Sequence, residues 1–189
     1  IVMSSKALFI LINSTTDIRS IIYFFISTFF MEKYTAHPQT RIGHIHLTVS
    51  DLDKSLEFYK DLLGFEVTQN LGSAVFLSAG GYHHHIGLNI WSKDGARKPE
   101  SGQIGLYHFA ILYPSRKELA RVLKRLIEVK YPFGASDHGV SEALYLDDPD
   151  GNGVELYADR DKKDWTVDKK GNISMHTKVL DIKNLLKEL

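Results

Sequence analysis

From Arg41 onward, apolar and polar positions alternate with the periods of strands and helices. Ile45, Leu47 and Val49 fall on one side of an extended segment and His44, His46 and Thr48 on the other, the period of two of a half-buried strand. Ser50-Asp51-Leu52-Asp53 has the Ser-x-x-acid form of a helix start. Leu52, Leu56, Tyr59 and Leu63 then follow the helical period up to Gly64, a residue suited to a helix end. Strands are predicted over 65–68, 74–78 and 82–91, so that 42–91 reads β-α-β-β-β. After a loop at 92–104 rich in Lys, Gly, Ser and Pro, the order restarts. A strand over 105–113 leads to a second start signal, Ser115-Arg116-Lys117-Glu118, and a stripe of Leu119, Val122, Leu123, Leu126 and Ile127. A short strand after Tyr131-Pro132-Phe133 and strands over 142–146 and 154–158 complete a second β-α-β-β-β module, 105–158. The chain contains an internal structural repeat. The expected fold class is α+β, with two βαβββ modules forming a curved, cup-like mixed sheet and helices outside.

The flanks differ from this core. Residues 7–12 and 21–26 are apolar runs separated by Asn13, Asp17 and Arg19. Neither approaches the roughly 20 apolar residues of a spanning helix, and no basic start with a small-residue cleavage site marks a signal peptide. Residues 1–40 are read as an extension outside a functional domain at 41–160, with no stable membrane insertion. Residues 161–189 read as a charged tail ending in a short helix at Leu180, Ile182, Leu185 and Leu186. Lys plus Arg and Asp plus Glu are 23 each, so no basic excess argues for nucleic acid. The absence of Cys removes disulfides, thiolate metal sites and a Cys nucleophile, and fits a cytoplasmic location. With nine His and no Cys, any transition-metal site has to be built from His, Asp and Glu.

Such a set is visible. Asp148-Pro149-Asp150-Gly151-Asn152-Gly153 is a run of turn formers, and it delivers a strand on which Val154 and Leu156 face one way and Glu155 and Tyr157 the other. A strand carboxylate among apolar neighbours is costly to bury without a partner. His44 and His108 sit at the same stage of their modules, each on a first strand and on the face away from the helix-packing residues. Two His and one carboxylate, with further positions open, suit a catalytic divalent ion such as Fe, Mn, Zn or Ni.

Gly43-His44-Ile45-His46-Leu47-Thr48-Val49-Ser50-Asp51-Leu52, followed by Phe58-Tyr59-Lys60-Asp61-Leu62-Leu63-Gly64-Phe65, resembles the opening of vicinal-oxygen-chelate proteins. These are the glyoxalase, bleomycin-resistance and extradiol-dioxygenase superfamily. The stretch 148–156 resembles their closing motif, and the likeness is nearest to bacterial catechol-2,3-dioxygenase-like proteins. The resemblance implies paired modules and a metal held by His44, His108 and Glu155, with His46 lining the same face. It implies Fe(II) first, with Mn(II), Zn(II) or Ni(II) as alternatives. Glyoxalase I carries a further ligand at the position of Gly87, when Ile86-Gly87-Leu88-Asn89 is laid on Val154-Glu155-Leu156-Tyr157. Its absence favours the three-ligand dioxygenase site. Of His83-His84-His85, the family pattern puts an acid/base role on His84, whereas strict alternation from Gly87 points His83 and His85 into the cup; His84 and His85 both stand as catalytic candidates. Tyr145 and His138 match a Tyr and a His that line the dioxygenase pocket. His37 and His176 lie outside the modules and take no role. The function implied is cleavage of a catechol-like ring with O2. The alternatives are a glyoxalase-like lyase, isomerase or thiol transferase acting on an α-keto or diol compound, and a non-catalytic small-molecule binder. The cup is completed either within one chain or across a homodimer.

Overall fold

The structure is a computed structural model and describes residues 34–189 apart from 94, 95, 99 and 101. The chain divides into two units, Ile1–Arg41 and Ile42–Leu189. The apolar runs at 7–12 and 21–26 lie outside the described residues. Among the described residues no helix is long and apolar enough to cross a membrane.

The second unit holds both modules. The first runs β1 (Ile45–Thr48), α1 (Leu52–Leu56), a π-helical turn (Glu57–Leu62), β2 (Glu66–Asn70), β3 (Ala74–Ser78) and β4 (Ile86–Asn89). The second runs β5 (His108–Leu112), α2 (Arg116–Glu128), β6 (Gly134–Asp137), β7 (Ser141–Asp147) and β8 (Gly153–Asp159). A 3-10 turn (Lys162–Asp164), β9 (Lys178–Val179) and α3 (Ile182–Leu186) follow. The sheets have the orders β1-β4-β3-β2 and β5-β8-β7-β6-β9. In each, the first strand runs parallel to the last strand of its module and the remaining pairs are antiparallel. The expected α+β fold of two βαβββ modules is what the chain adopts, as two mixed sheets.

The registers place the repeat on a residue-by-residue footing. His46 pairs with Gly87 across β1 and β4, and Ala110 pairs with Glu155 across β5 and β8. Gly87 is thus equivalent to Glu155, and His44, two residues before His46, is equivalent to His108. The next neighbours match too: Phe76 pairs with Gly87 and Tyr145 with Glu155.

Local structure departs from the sequence pattern in the first helix. Its cap is Asp51, not Ser50: the Asp51 carboxylate accepts from the backbone N–H groups of Asp53 and Lys54 at 2.9 and 3.1 Å. Aspartate accepts two such bonds at once and favours a helix N-terminus by its charge. After Leu56 the turn widens, and Leu63 N–H donates to Phe58 O at 2.9 Å, five residues back. This brings the consecutive residues Phe58 and Tyr59 inward together, so Ser55, Phe58, Tyr59 and Leu62 are buried, while Leu52, Leu56 and Leu63 of the expected stripe pack half-buried against the same core. The β4 strand is also shorter than its sequence pattern, beginning at Ile86 after a bend through 83–85.

One hydrophobic core serves both modules. Leu47, Val49, Leu77 and Leu88 join Leu119, Leu123, Leu126, Leu144 and Leu156 in a single buried cluster, to which the tail adds Leu180 and Leu185. Each fully buried Leu contributes on the order of 2 kcal/mol. The first helix carries the junction: Tyr59 stacks on Phe109 of β5 with ring centroids 6.5 Å apart, and Phe58 meets Tyr131 at 5.4 Å.

Candidate metal centre

The second sheet carries a connected polar chain on the face that its core residues leave free. Along β8 burial alternates, with Val154, Leu156 and Ala158 inward and Glu155 on the other side. Glu155 Oε2 lies 3.0 Å from His108 Nε2. Its other oxygen, Oε1, accepts from the Tyr145 hydroxyl at 2.9 Å, across the β7–β8 pair. The same hydroxyl is 2.7 Å from His138 Nε2. Four of the residues singled out from the sequence therefore form one line, His108–Glu155–Tyr145–His138. A single hydroxyl proton serves only one of its two neighbours, so the second contact needs a proton on His138 or on the carboxylate. Burial first, then the hydrogen bond to Glu155 and its charge, push the Tyr145 phenol well above its ordinary range and keep it a neutral donor.

Two glycines allow this packing. At Gly153, opposite His108 in the register, an added Cβ would sit 2.5 Å from Tyr107 O and 3.0 Å from His108 Cβ. At Gly87 a Cβ would sit 2.9 Å from His46 Cγ. The His46 ring thus fills the space over the position equivalent to Glu155.

The first sheet carries a different layer. His44 and His84 rings are 4.5 Å apart, and His84 meets Phe76 at 5.0 Å. His46 lies 5.7 Å from Phe76 and 5.6 Å from Trp91. The bend before β4 separates the three consecutive histidines. His84 stands beside His44, with its Nδ1 2.7 Å from His83 Nδ1. His85 turns to Ser78 Oγ at 3.2 Å and to the Ala79 N–H at 3.3 Å. Desolvation, then the neighbouring His44, His83, His46 and His85, hold His84 below its ordinary pKa.

His44 does not join the His108–Glu155 pair: among the described residues no three His, Asp or Glu side chains converge on a common metal position. The pair itself suits an ion. Donors bound at about 2.1 Å and near right angles to each other stand roughly 3 Å apart, the separation found between His108 Nε2 and Glu155 Oε2. An imidazole and a carboxylate are also suitable donors for Fe, Mn, Zn or Ni.

The sequence pattern marked the turn before Glu155 but not the buried carboxylate that anchors it. Asp148 is buried, and its carboxylate accepts from the Tyr59 hydroxyl at 2.8 Å, from the N–H groups of Asp150 and Asn152 at 3.0 and 2.7 Å, and from Asn152 Nδ2 at 2.9 Å. The Asp-x-x-Gly-Asn signal was present: Asp168 builds the same turn on Lys170 and Asn172. Its partner Tyr59, 89 residues earlier, carried no local signal.

Comparison with known proteins agrees with this fold. The family model of the Glyoxalase/Bleomycin resistance protein/Dioxygenase superfamily matches residues 41–156, and the chain belongs to that superfamily. Within it, the chain is 46% identical over 152 residues to catechol-2,3-dioxygenase of Bacillus subtilis (strain 168), covering 80% of this chain and 53% of the relative. The chain thus spans about half of that relative's length. Among solved structures, a glyoxalase/dioxygenase from Nostoc punctiforme aligns with a TM-score of 0.55 at 18% identity, over 69% of this chain and 98% of that one. Lactoylglutathione lyase from Agrobacterium tumefaciens aligns with a TM-score of 0.50 at 27% identity, over 65% of this chain and 96% of that one.

Proposed function

We propose that the chain is a divalent-metal-dependent, ring-cleaving dioxygenase of the extradiol type, acting on a catechol-like aromatic with O2. The observation that carries this reading is the line His108–Glu155–Tyr145–His138, which sets a neutral phenol and an imidazole beside the His108–Glu155 pair. The 46% identity to a catechol-2,3-dioxygenase supports it. His108 and Glu155 would hold the ion, Fe(II) in the first instance, with His44 as third ligand by its equivalence to His108. When bound, the ion supplies Lewis acidity toward the diol and one-electron access to O2. Tyr145 would donate to a substrate oxygen and His138 would orient it. His84, beside His44 and held neutral by its surroundings, would move a proton at the oxygen side. Phe76 and Trp91 offer aromatic faces for the ring.

The test is anaerobic loading with Fe(II) and a panel of catechols, followed by admission of O2. The expected result is a yellow ring-cleavage product with matching O2 uptake. No uptake with any catechol would overturn the reading. The same protein loaded with Zn(II) or Ni(II) and offered a glutathione hemithioacetal tests the lyase alternative, which Gly87 disfavours because His46 stands where a fourth ligand would be.

A further inference from the structure

We propose that residues 174–177, beyond the paired modules, are a positioning part of the site: they hold His138 with a proton on Nδ1 and its Nε2 turned to Tyr145. His138 Nδ1 lies 3.0 Å from the His176 carbonyl oxygen. A carbonyl only accepts, so Nδ1 is the donor in this contact. The other nitrogen, Nε2, is the atom 2.7 Å from the Tyr145 hydroxyl: in a neutral imidazole it accepts the hydroxyl proton, and in an imidazolium it donates to the hydroxyl oxygen while that proton goes to Glu155. The contact is reciprocal, since the His176 N–H donates to the His138 carbonyl at 3.2 Å. Thr177 Oγ1 stands 3.4 Å from the same Nδ1.

The segment is fixed from both ends. Before it, Ser174 N–H donates to Thr166 O at 2.8 Å. After it, Lys178 and Val179 pair with Asp137 and Ser136 as the edge of the second sheet. Leu180 and Leu185 are buried in the core, and Asn184 Oδ1 accepts from Arg116 Nη2 at 2.7 Å. The hairpin tip is shaped to receive it: a Cβ on Gly139 would stand 2.7 Å from the His176 ring. The superfamily match stops at residue 156, so the segment holding His138 lies outside the matched region.

The functional weight of this arrangement rests on the reading of His138 as a substrate-site residue; the proton position does not. The experiment is a long-range 1H–15N spectrum of the full chain labelled at histidine, as purified and again loaded with diamagnetic Zn(II). The expected pattern for His138 has a protonated Nδ1. A bare Nδ1, with the proton on Nε2 alone, overturns the proposal. His176→Ala removes the ring and keeps the backbone, so the pattern should persist. His176→Pro removes the N–H that bonds His138 O and should give a mixture of tautomers, with kcat lowered about tenfold at unchanged metal content, the scale of lost outer-shell support. An unchanged pattern in His176→Pro overturns the proposal. Should that variant not fold, Ser174→Pro, which removes the N–H that ties the segment to Thr166 O, gives the same reading. Wild-type protein without turnover on any catechol retires the dioxygenase reading and leaves the proton assignment standing. A lost tautomer with full turnover retires the positioning role.

Discussion

Tyr145 is the residue on which the two halves of the polar line meet. Its hydroxyl touches both Glu155 and His138, and its raised pKa means that the protonated, donating form persists beyond the ordinary phenol value. In the metal-free protein, absorption titration compared with Tyr145→Phe should therefore show no phenolate forming at this position below about pH 10. Tyr145→Phe removes the donor and keeps the ring, so kcat should drop on the order of 100-fold, the scale of a lost acid/base group, with little change in thermal midpoint. A fall in stability with kcat preserved would contradict that role. The two close-approach glycines make a contrasting pair. Gly153→Ala drives a Cβ against backbone, at Tyr107 O, where nothing yields cheaply. It should cost about 1–3 kcal/mol, read by denaturant unfolding, and weaken metal uptake by displacing His108. Gly87→Ala meets only the His46 ring, which can swing aside, so its stability cost should be the smaller of the two.

Among the elements, the turn at 148–152 does the most to aim Glu155. Asp148→Ala removes four hydrogen bonds and leaves the buried Tyr59 hydroxyl without an acceptor. The expected loss is about 2–4 kcal/mol, measured by chemical denaturation, and Tyr59→Phe should lose less because the turn keeps its own bonds. This turn was readable because Asp, Gly and Asn act on neighbouring backbone. The second module was readable almost whole, since α2 has a long uniform stripe and β8 alternates along its seven residues. Where the pattern failed, distant contacts decide the outcome. The π turn accompanies the burial of Tyr59 against Asp148 and Phe109, both in the other module. Asp51 displaced Ser50 as the cap because its carboxylate accepts from two backbone N–H groups at once and carries the charge that a helix N-terminus favours. The bend at 83–85 broke the alternation that had pointed His85 inward. The site divides in the same way: His108, Glu155, Tyr145 and His138 share one module and its register, whereas the place of His44 depends on how modules associate.

At the scale of the whole molecule, the association of modules decides where His44 stands. The two modules share a core through the first helix, while β1 and β5 are each the outer strand of a sheet. His44 immediately precedes β1, and His108 is the first residue of β5. Unpaired strand edges are ready templates for another strand, and Ile42, Leu106 and Tyr107 beside them are exposed. A second copy laying its β1 edge along β5 would bring its His44 toward the His108–Glu155 pair, and two-fold symmetry would repeat the arrangement at the other end. The expectation is checked by complementation. His44→Ala and Glu155→Ala should each abolish turnover. In a co-expressed mixture, each mixed dimer would hold one site with His44 from one copy and Glu155 from the other. With random pairing about half of the dimers are mixed, each with one intact site of two, so activity should return to roughly a quarter of wild type. Differently tagged copies, purified through both tags, should show about half. A mixture as inactive as its parents would mean that His44 and Glu155 serve a site within the same chain, and the shared-site arrangement would fall.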